Sequence, residues 1–150
     1  MAALVLDNFI PYRLSVTSNL VSDGIARTYE ALFGLTIPEW RLIAVIAEVG
    51  PNDAGITQQA IGARTRMDKV TVSRAAIALT ARGLLDRRAN ANDKRSHLLR
   101  LTDAGRDLYA AVAPKALDLE ARIFAAFTAE EVATFTAMLR RIEAETLALE

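Results

Sequence analysis

Residues 57–101 constrain the fold more than any other stretch, because they carry two short helical patterns, a tight turn between them and a polar hairpin directly after. Thr57 is placed to cap a helix running through Thr65. Asp68 is placed to cap the next, from Lys69 to Arg82, which stops at Gly83. Both side chains can accept hydrogen bonds from the orphan amides of a first helical turn. Two helices separated by a few residues make a helix-turn-helix. Leu84 to Arg88 and Ser96 to Leu101 alternate as strands around Ala89 to Arg95, whose Asn and Asp residues favour a turn, so a β-hairpin or wing follows.

Charge sets the same stretch apart. It holds 10 Lys and Arg against 3 acids, whereas the remainder holds 8 against 15, so a formal net charge of zero hides a basic block in an acidic frame. That distribution is the electrostatic footprint of a nucleic-acid reader.

The flanking segments read as helices. Phe9, Val16, Leu20, Ile25, Tyr29 and Leu32 recur at broadly helical spacing, giving a long first helix that starts near Asp7 or just before Pro11 and stops at Gly34. Thr36-Ile37-Pro38-Glu39 fits a capping box for a second helix ending at Gly50-Pro51. Its expected buried stripe is Trp40, Ile43, Ala44 and Ala47. Leu42, Val45, Ile46 and Val49 add apolar surface elsewhere, as in a helix sandwiched between neighbours. A loop from Asn52 to Gly55 leads to a short strand starting at Ile56. Thr102 caps a fifth helix reaching about Phe127 and interrupted by Pro114, and Thr128 to Glu131 form a second capping box opening a last helix that runs nearly to Glu150. The expected fold is therefore mainly α (α+β), a winged helix-turn-helix with long N- and C-terminal helices.

Several function classes fall away. With no cysteine, disulfides and thiolate metal or redox sites are excluded, and the single His97 supports neither a histidine metal site nor a catalytic pair. The acids are dispersed over amphipathic helices in no catalytic constellation, so the chain reads as a non-enzyme without cofactor or metal. No apolar run approaches the roughly 20 residues of a membrane span, and MAALVLDNF lacks the marks of a signal peptide, which points to a cytoplasmic protein.

On a helical wheel Val72, Ala76 and Leu79 share one arc, the core face of the fourth helix, with Val70, Ser73, Arg74 and Ile77 roughly opposite. Arg can bond guanine bidentately, Ser can bond several bases, and small apolar groups can meet a thymine methyl. The competing reading is a solvated face with ordinary exposed apolar residues. At the wing, Arg95 is the candidate for minor-groove insertion, with Asp93 expected to orient a nearby arginine and His97 read as a surface residue.

MDKVTVSRA, RGLLDRR, NDKRSH and LRLTDAG, taken in order with PYRL in the first helix and FGLTIPEWRLIAVI in the second, resemble the winged helix-turn-helix of the multiple-antibiotic-resistance regulator (MarR) family. The resemblance covers nearly the whole chain. It implies a homodimeric transcription factor, usually a repressor, in which residues 1–35 and 103–150 supply the dimerisation helices and residues 36–102 bind a pseudo-palindromic duplex. By position, Lys69, Val70, Thr71, Ser73 and Arg74 are the recognition residues, Thr57 and Gln58 touch phosphate, and Lys94 and Arg95 form the wing tip. Lys94 stands where many relatives have arginine.

The resemblance also implies a small effector such as an aromatic acid, a phenol or an acyl-CoA thioester, with Tyr12, Arg13, Ser15, Trp40 and Ile43 at the matching positions. Arg13 could pair with an effector anion or with an acid such as Glu39 or Asp118, and Trp40 could be core or platform. The absence of cysteine excludes the thiol switch of the peroxide-sensing branch. A second function class, a nonspecific architectural DNA binder without effector, would use the same surface.

Overall fold

The computed structural model describes residues 1–49 and 55–150. They form two compact units, Met1–Ala113 and Pro114–Glu150, each taken by itself below. The expected stop at Gly50-Pro51 and the loop from Asn52 to residue 54 lie outside the described residues.

In the first unit a short 3-10 turn, Leu6–Asn8, precedes α1, Ile10–Phe33. Pro11 lies in the first turn of α1, where its missing N–H costs nothing. Gly34 ends the helix at φ 63°, a left-handed conformation that an ordinary side chain would strain. Of the helically spaced apolar residues, only Tyr29 is buried, and Phe9, Leu20 and Leu32 are exposed in the protomer.

Helix α2, Ile37–Val49, opens on the expected capping box. The Thr36 amide donates to Glu39 Oε1 at 2.8 Å, and the Glu39 amide donates to Thr36 Oγ1 at 3.3 Å. The buried stripe differs from the expected one: Leu42, Ile43, Val45 and Ile46 are buried, whereas Trp40, Ala44 and Ala47 are half-buried. The cause is tertiary, since α2 packs against the neighbouring helices and the sheet on several sides, and periodicity alone does not rank those sides.

Three strands make a small antiparallel sheet in the order β1-β3-β2. They are β1, Ile56–Thr57; β2, Leu85–Ala89; and β3, His97–Leu101. Leu85 faces Leu101 and Ala89 faces His97, so both wing strands start one residue later than their alternation suggests. Leu84 is instead held by its amide, which donates to the Leu79 carbonyl at the end of the preceding helix. Between α2 and the wing lie α3, Gln58–Thr65, and α4, Lys69–Ala81. Leu42, Ile43, Ile61, Val72, Leu79 and Leu99 are wholly buried and form the heart of this core.

Two devices fix the winged unit's edges. The Arg82 guanidinium, just past α4, donates to the carbonyls of Gly34 and Phe33 at 3.0 and 3.2 Å, which satisfies orphan acceptors at the end of α1. Thr102 locks the wing to α5, Asp103–Ile123. Its amide donates to the Leu84 carbonyl at 3.1 Å, its hydroxyl donates to the Gly83 carbonyl at 2.7 Å, and the Gly105 amide donates back to that hydroxyl at 3.0 Å.

The division between units falls at Pro114, inside α5, where proline has no N–H to continue the helical ladder. In the second unit α5 ends at Ile123, four residues short of the expected Phe127. The chain turns there so that Thr128 can take the extended conformation of an N-cap, and the rings of Phe124, Phe127 and Phe135 cluster around the turn. Helix α6, Ala129–Leu147, opens on the complete Thr128–Glu131 capping box.

Candidate nucleic-acid interface

The helix-turn-helix is built by caps. Thr57 Oγ1 accepts from the Ala60 amide at 3.1 Å to start α3, and Asp68 Oδ1 accepts from the Thr71 amide at 2.7 Å to start α4. Arg66, at φ 59°, makes the turn between them in the left-handed region. Val72, Ala75, Ala76 and Leu79 anchor α4 in the core, which fixes which residues the opposite face presents. That face carries Lys69, Val70 and Arg74 exposed and Ser73 half-buried. Val70 and Ile77 are 58% and 59% exposed. The expected core and outer arcs of the wheel are both observed.

The Asp68 carboxyl is held below the usual aspartate range by the hydrogen bonds from Thr71, with a further contribution from the Arg74 cation. A depressed folded-state pKa contributes stability above the unfolded pKa, and that contribution is lost as pH falls through the folded value. We expect Asp68→Asn to keep the cap while flattening the acid limb of the stability profile. Urea midpoints measured from pH 7 down to pH 3 check this, and an unchanged acid limb would contradict it.

At the wing, Asp93, Lys94, Arg95 and His97 are all exposed. Asp93 orients Arg95 through the backbone. Its Oδ1 accepts from the Arg95 backbone amide at 3.0 Å, and the Ser96 amide donates to the Asp93 carbonyl, so the aspartate shapes the turn that presents Arg95. Asn90 closes the other side, its Nδ2 donating to Ser96 Oγ at 2.9 Å.

None of the residues matched to effector positions lines the cleft described below. Arg13 pairs with Asp7 at 3.1 Å, and Glu39 is engaged by the Thr36 amide. Tyr12 is half-buried, Ser15 exposed and Ile43 wholly buried. Trp40 is half-buried between rings, stacked on Tyr109 at 5.7 Å and edge-on to Tyr29 at 5.8 Å.

Sequence reasoning missed a cleft of about 580 Å³ between α2, the sheet and the start of α5, lined by residues that include Asp86, Arg100, Arg106 and Tyr109. The direct pairing of Asp86 with Arg100 across β2 and β3 was its available signal. Among the described residues no group of three or more His, Cys, Asp or Glu could hold a metal ion, and no helix is long and apolar enough to cross a membrane.

Residues 33–96 match the family model described as MarR family. Across that segment the chain is similar to the MarR family. Among solved structures, a probable transcriptional regulator from Pseudomonas aeruginosa is 27% identical, with 92% of this chain and 99% of that chain covered and a TM-score of 0.78. The PcaV transcriptional regulator from Streptomyces coelicolor, in complex with its natural ligand, is 25% identical over 96% and 98% of the two chains, with a TM-score of 0.76. A MarR/EmrR family transcriptional regulator from Acinetobacter sp. ADP1 is 22% identical over 95% and 98%, and its TM-score of 0.83 speaks to the fold. No curated protein matches the chain in sequence. The small sheet and capped helices thus match the fold of these regulators, one of which, PcaV, is in complex with its natural ligand.

Proposed function

We propose that the chain is a homodimeric, sequence-specific, double-stranded-DNA-binding transcriptional regulator, a repressor released by a small aromatic or anionic effector. One observation carries this most: a rigidly capped α4 presents cations and exposed apolar side chains together on the face opposite its core contacts. Such a face suits the major groove, where Arg74 meets guanine, Ser73 a base edge and Val70 a thymine methyl. Lys69 and Thr71 flank them, Thr57 and Gln58 contact phosphate at the start of α3, and Lys94 and Arg95 enter the minor groove.

The twofold arrangement is assigned to residues 1–35 and 103–150, which flank the reader at 36–102. Exposed Leu20 on α1 and exposed Phe135, Met138 and Ile142 on α6 supply apolar area for a second copy. We expect Met138→Glu with Ile142→Glu to convert a dimer to monomers in sedimentation equilibrium. A native-like, undissociated double variant would remove α6 from the interface.

Tyr12, Arg13, Ser15, Trp40 and Ile43 remain the proposed effector contacts of the α1–α2 region. Arg13 would exchange its exposed Asp7 partner for an effector anion. Effector binding would favour a spacing of the two α4 helices that does not match successive grooves, a population shift rather than unfolding. A gel shift on duplex from the chain's own upstream region tests the proposal. Selective binding that weakens in Arg74→Ala and Arg95→Ala supports it, whereas equal affinity for unrelated duplexes favours a nonspecific architectural role.

A further inference from the structure

Three consecutive residues behind α4 hold it to the helices on either side of the winged unit. The end of α4 is itself closed tightly. The Leu84 amide donates to the Leu79 carbonyl and the Gly83 amide to the Thr80 carbonyl, both at 3.0 Å, with Gly83 left-handed at φ 73°. That pair of bonds is a Schellman closure, and Leu79 and Leu84 at its two ends are buried. Arg82 therefore leaves a firmly placed backbone, although its side chain is exposed.

From this fixed point the chain reaches both ways. Backward, the Arg82 fork spans two successive carbonyls at the end of α1, Gly34 through Nη1 at 3.0 Å and Phe33 through Nη2 at 3.2 Å. Forward, the Gly83 and Leu84 carbonyls accept from the hydroxyl and amide of Thr102, which opens α5. Helices α1 and α5 both belong to the segments assigned above to the twofold arrangement, so residues 82–84 join α4 to both of them.

The residue type matters. Any cation would favour the negative pole at the end of α1. Only a planar fork meets two adjacent carbonyls at once, which fixes a direction as well as a distance. Packing links α1 to α4 by way of α2, and packed helices can slide by small amounts. The fork opposes that sliding.

We propose that Arg82 is a positioning residue that sets the half-site spacing the protein accepts, by fixing α4 to the end of α1 without touching DNA itself. The spacing role rests on the DNA-binding dimer proposed above; the bridge between the helices does not. Without the fork each α4 still enters its own groove, but the effective concentration of the second helix at the second groove falls.

The test uses the full chain and duplex from its own upstream region, with the protected segment rebuilt as an isolated half-site and as full sites lengthened or shortened by a few base pairs between half-sites. Arg82→Ala should lower the preference for the native spacing on the order of tenfold. Half-site affinity, the salt slope of binding and the unfolding midpoint should stay at wild-type values, because the side chain touches neither phosphate nor core. Arg82→Lys keeps the charge without the fork and should recover only part of the preference. In amide exchange without DNA, the segment from Tyr29 to Leu35 should exchange faster in Arg82→Ala, since the Gly34 and Leu35 amides that close α1 lie beside the lost fork.

Equal losses on half-site and full-site duplexes would overturn the proposal, as would an unchanged spacing preference or full recovery by Arg82→Lys. A salt slope shallower by about one would place Arg82 on phosphate instead. A wild-type chain that binds no duplex would remove the regulator reading and the spacing role together. Amide exchange would then decide the bridge alone, an unchanged rate in Arg82→Ala removing it.

Discussion

Replacing Gly105 by alanine is expected to destabilise the first unit by about 3 kcal/mol, a large fraction of the stability of a domain this size. Gly105 is buried in the first turn of α5, and a Cβ there would lie 2.2 Å from the Leu84 carbonyl oxygen and 3.2 Å from a Leu101 methyl. The first obstacle is backbone and has no rotamer to change. It is also the acceptor of the Thr102 amide, so moving it breaks the bond that joins the wing to α5. Alanine is otherwise the better helix former, so intrinsic propensity opposes this expectation and cannot produce it. Urea unfolding should show a lower midpoint at unchanged slope. A loss below about 1 kcal/mol would mean that Leu84 and α5 separate easily, and the wing would then be less firmly seated than its hydrogen bonds indicate.

Arg74→Ala is expected to weaken binding to the specific duplex by roughly ten- to a hundredfold, the range for a lost bidentate base contact, while changing affinity for an unrelated duplex much less. Arg74 is exposed on the face of α4 opposite Val72, Ala75, Ala76 and Leu79, so its removal should leave the unfolding midpoint nearly unchanged. Arg74→Lys should recover only part of the affinity, because an ammonium cannot reproduce the planar fork. Equal losses on specific and unrelated duplexes would reassign Arg74 to phosphate. An unchanged affinity on both would remove α4 from the interface.

The elements legible in the sequence are those specified by local chemistry. Thr36, Thr57, Asp68 and Thr128 cap the helices they were expected to cap, and the outer face of α4 follows from a short, regular core arc. What escaped depends on more than one element. The buried side of α2 is chosen by several neighbours at once, so its actual core of Leu42, Ile43, Val45 and Ile46 was diluted in a helix apolar nearly all round. The wing strands begin one residue later than their alternation suggests, because Leu84 belongs to the end of α4 and to the Thr102 junction.

The candidate interface divides the same way. Its α4 half is a single helix and could be read from spacing. The role of Asp93 turned on a backbone hydrogen bond that residue types do not reveal. The wing-base cleft required the cross-strand register of Asp86 and Arg100, and the Arg82 bonds to Phe33 and Gly34 link segments nearly fifty residues apart. Neither has a local signature.

The most direct test of the DNA-reading role is the salt dependence of binding to duplex from the chain's own upstream region, followed by fluorescence anisotropy for wild type and Arg95→Ala. A reader that neutralises phosphates with the exposed cations of α4 and the wing should give log K falling linearly with log salt, with a slope of about −0.9 for each phosphate engaged. The Arg95→Ala slope should be shallower by about one. A slope near zero for wild type would contradict the assignment of residues 57–101 as a nucleic-acid interface.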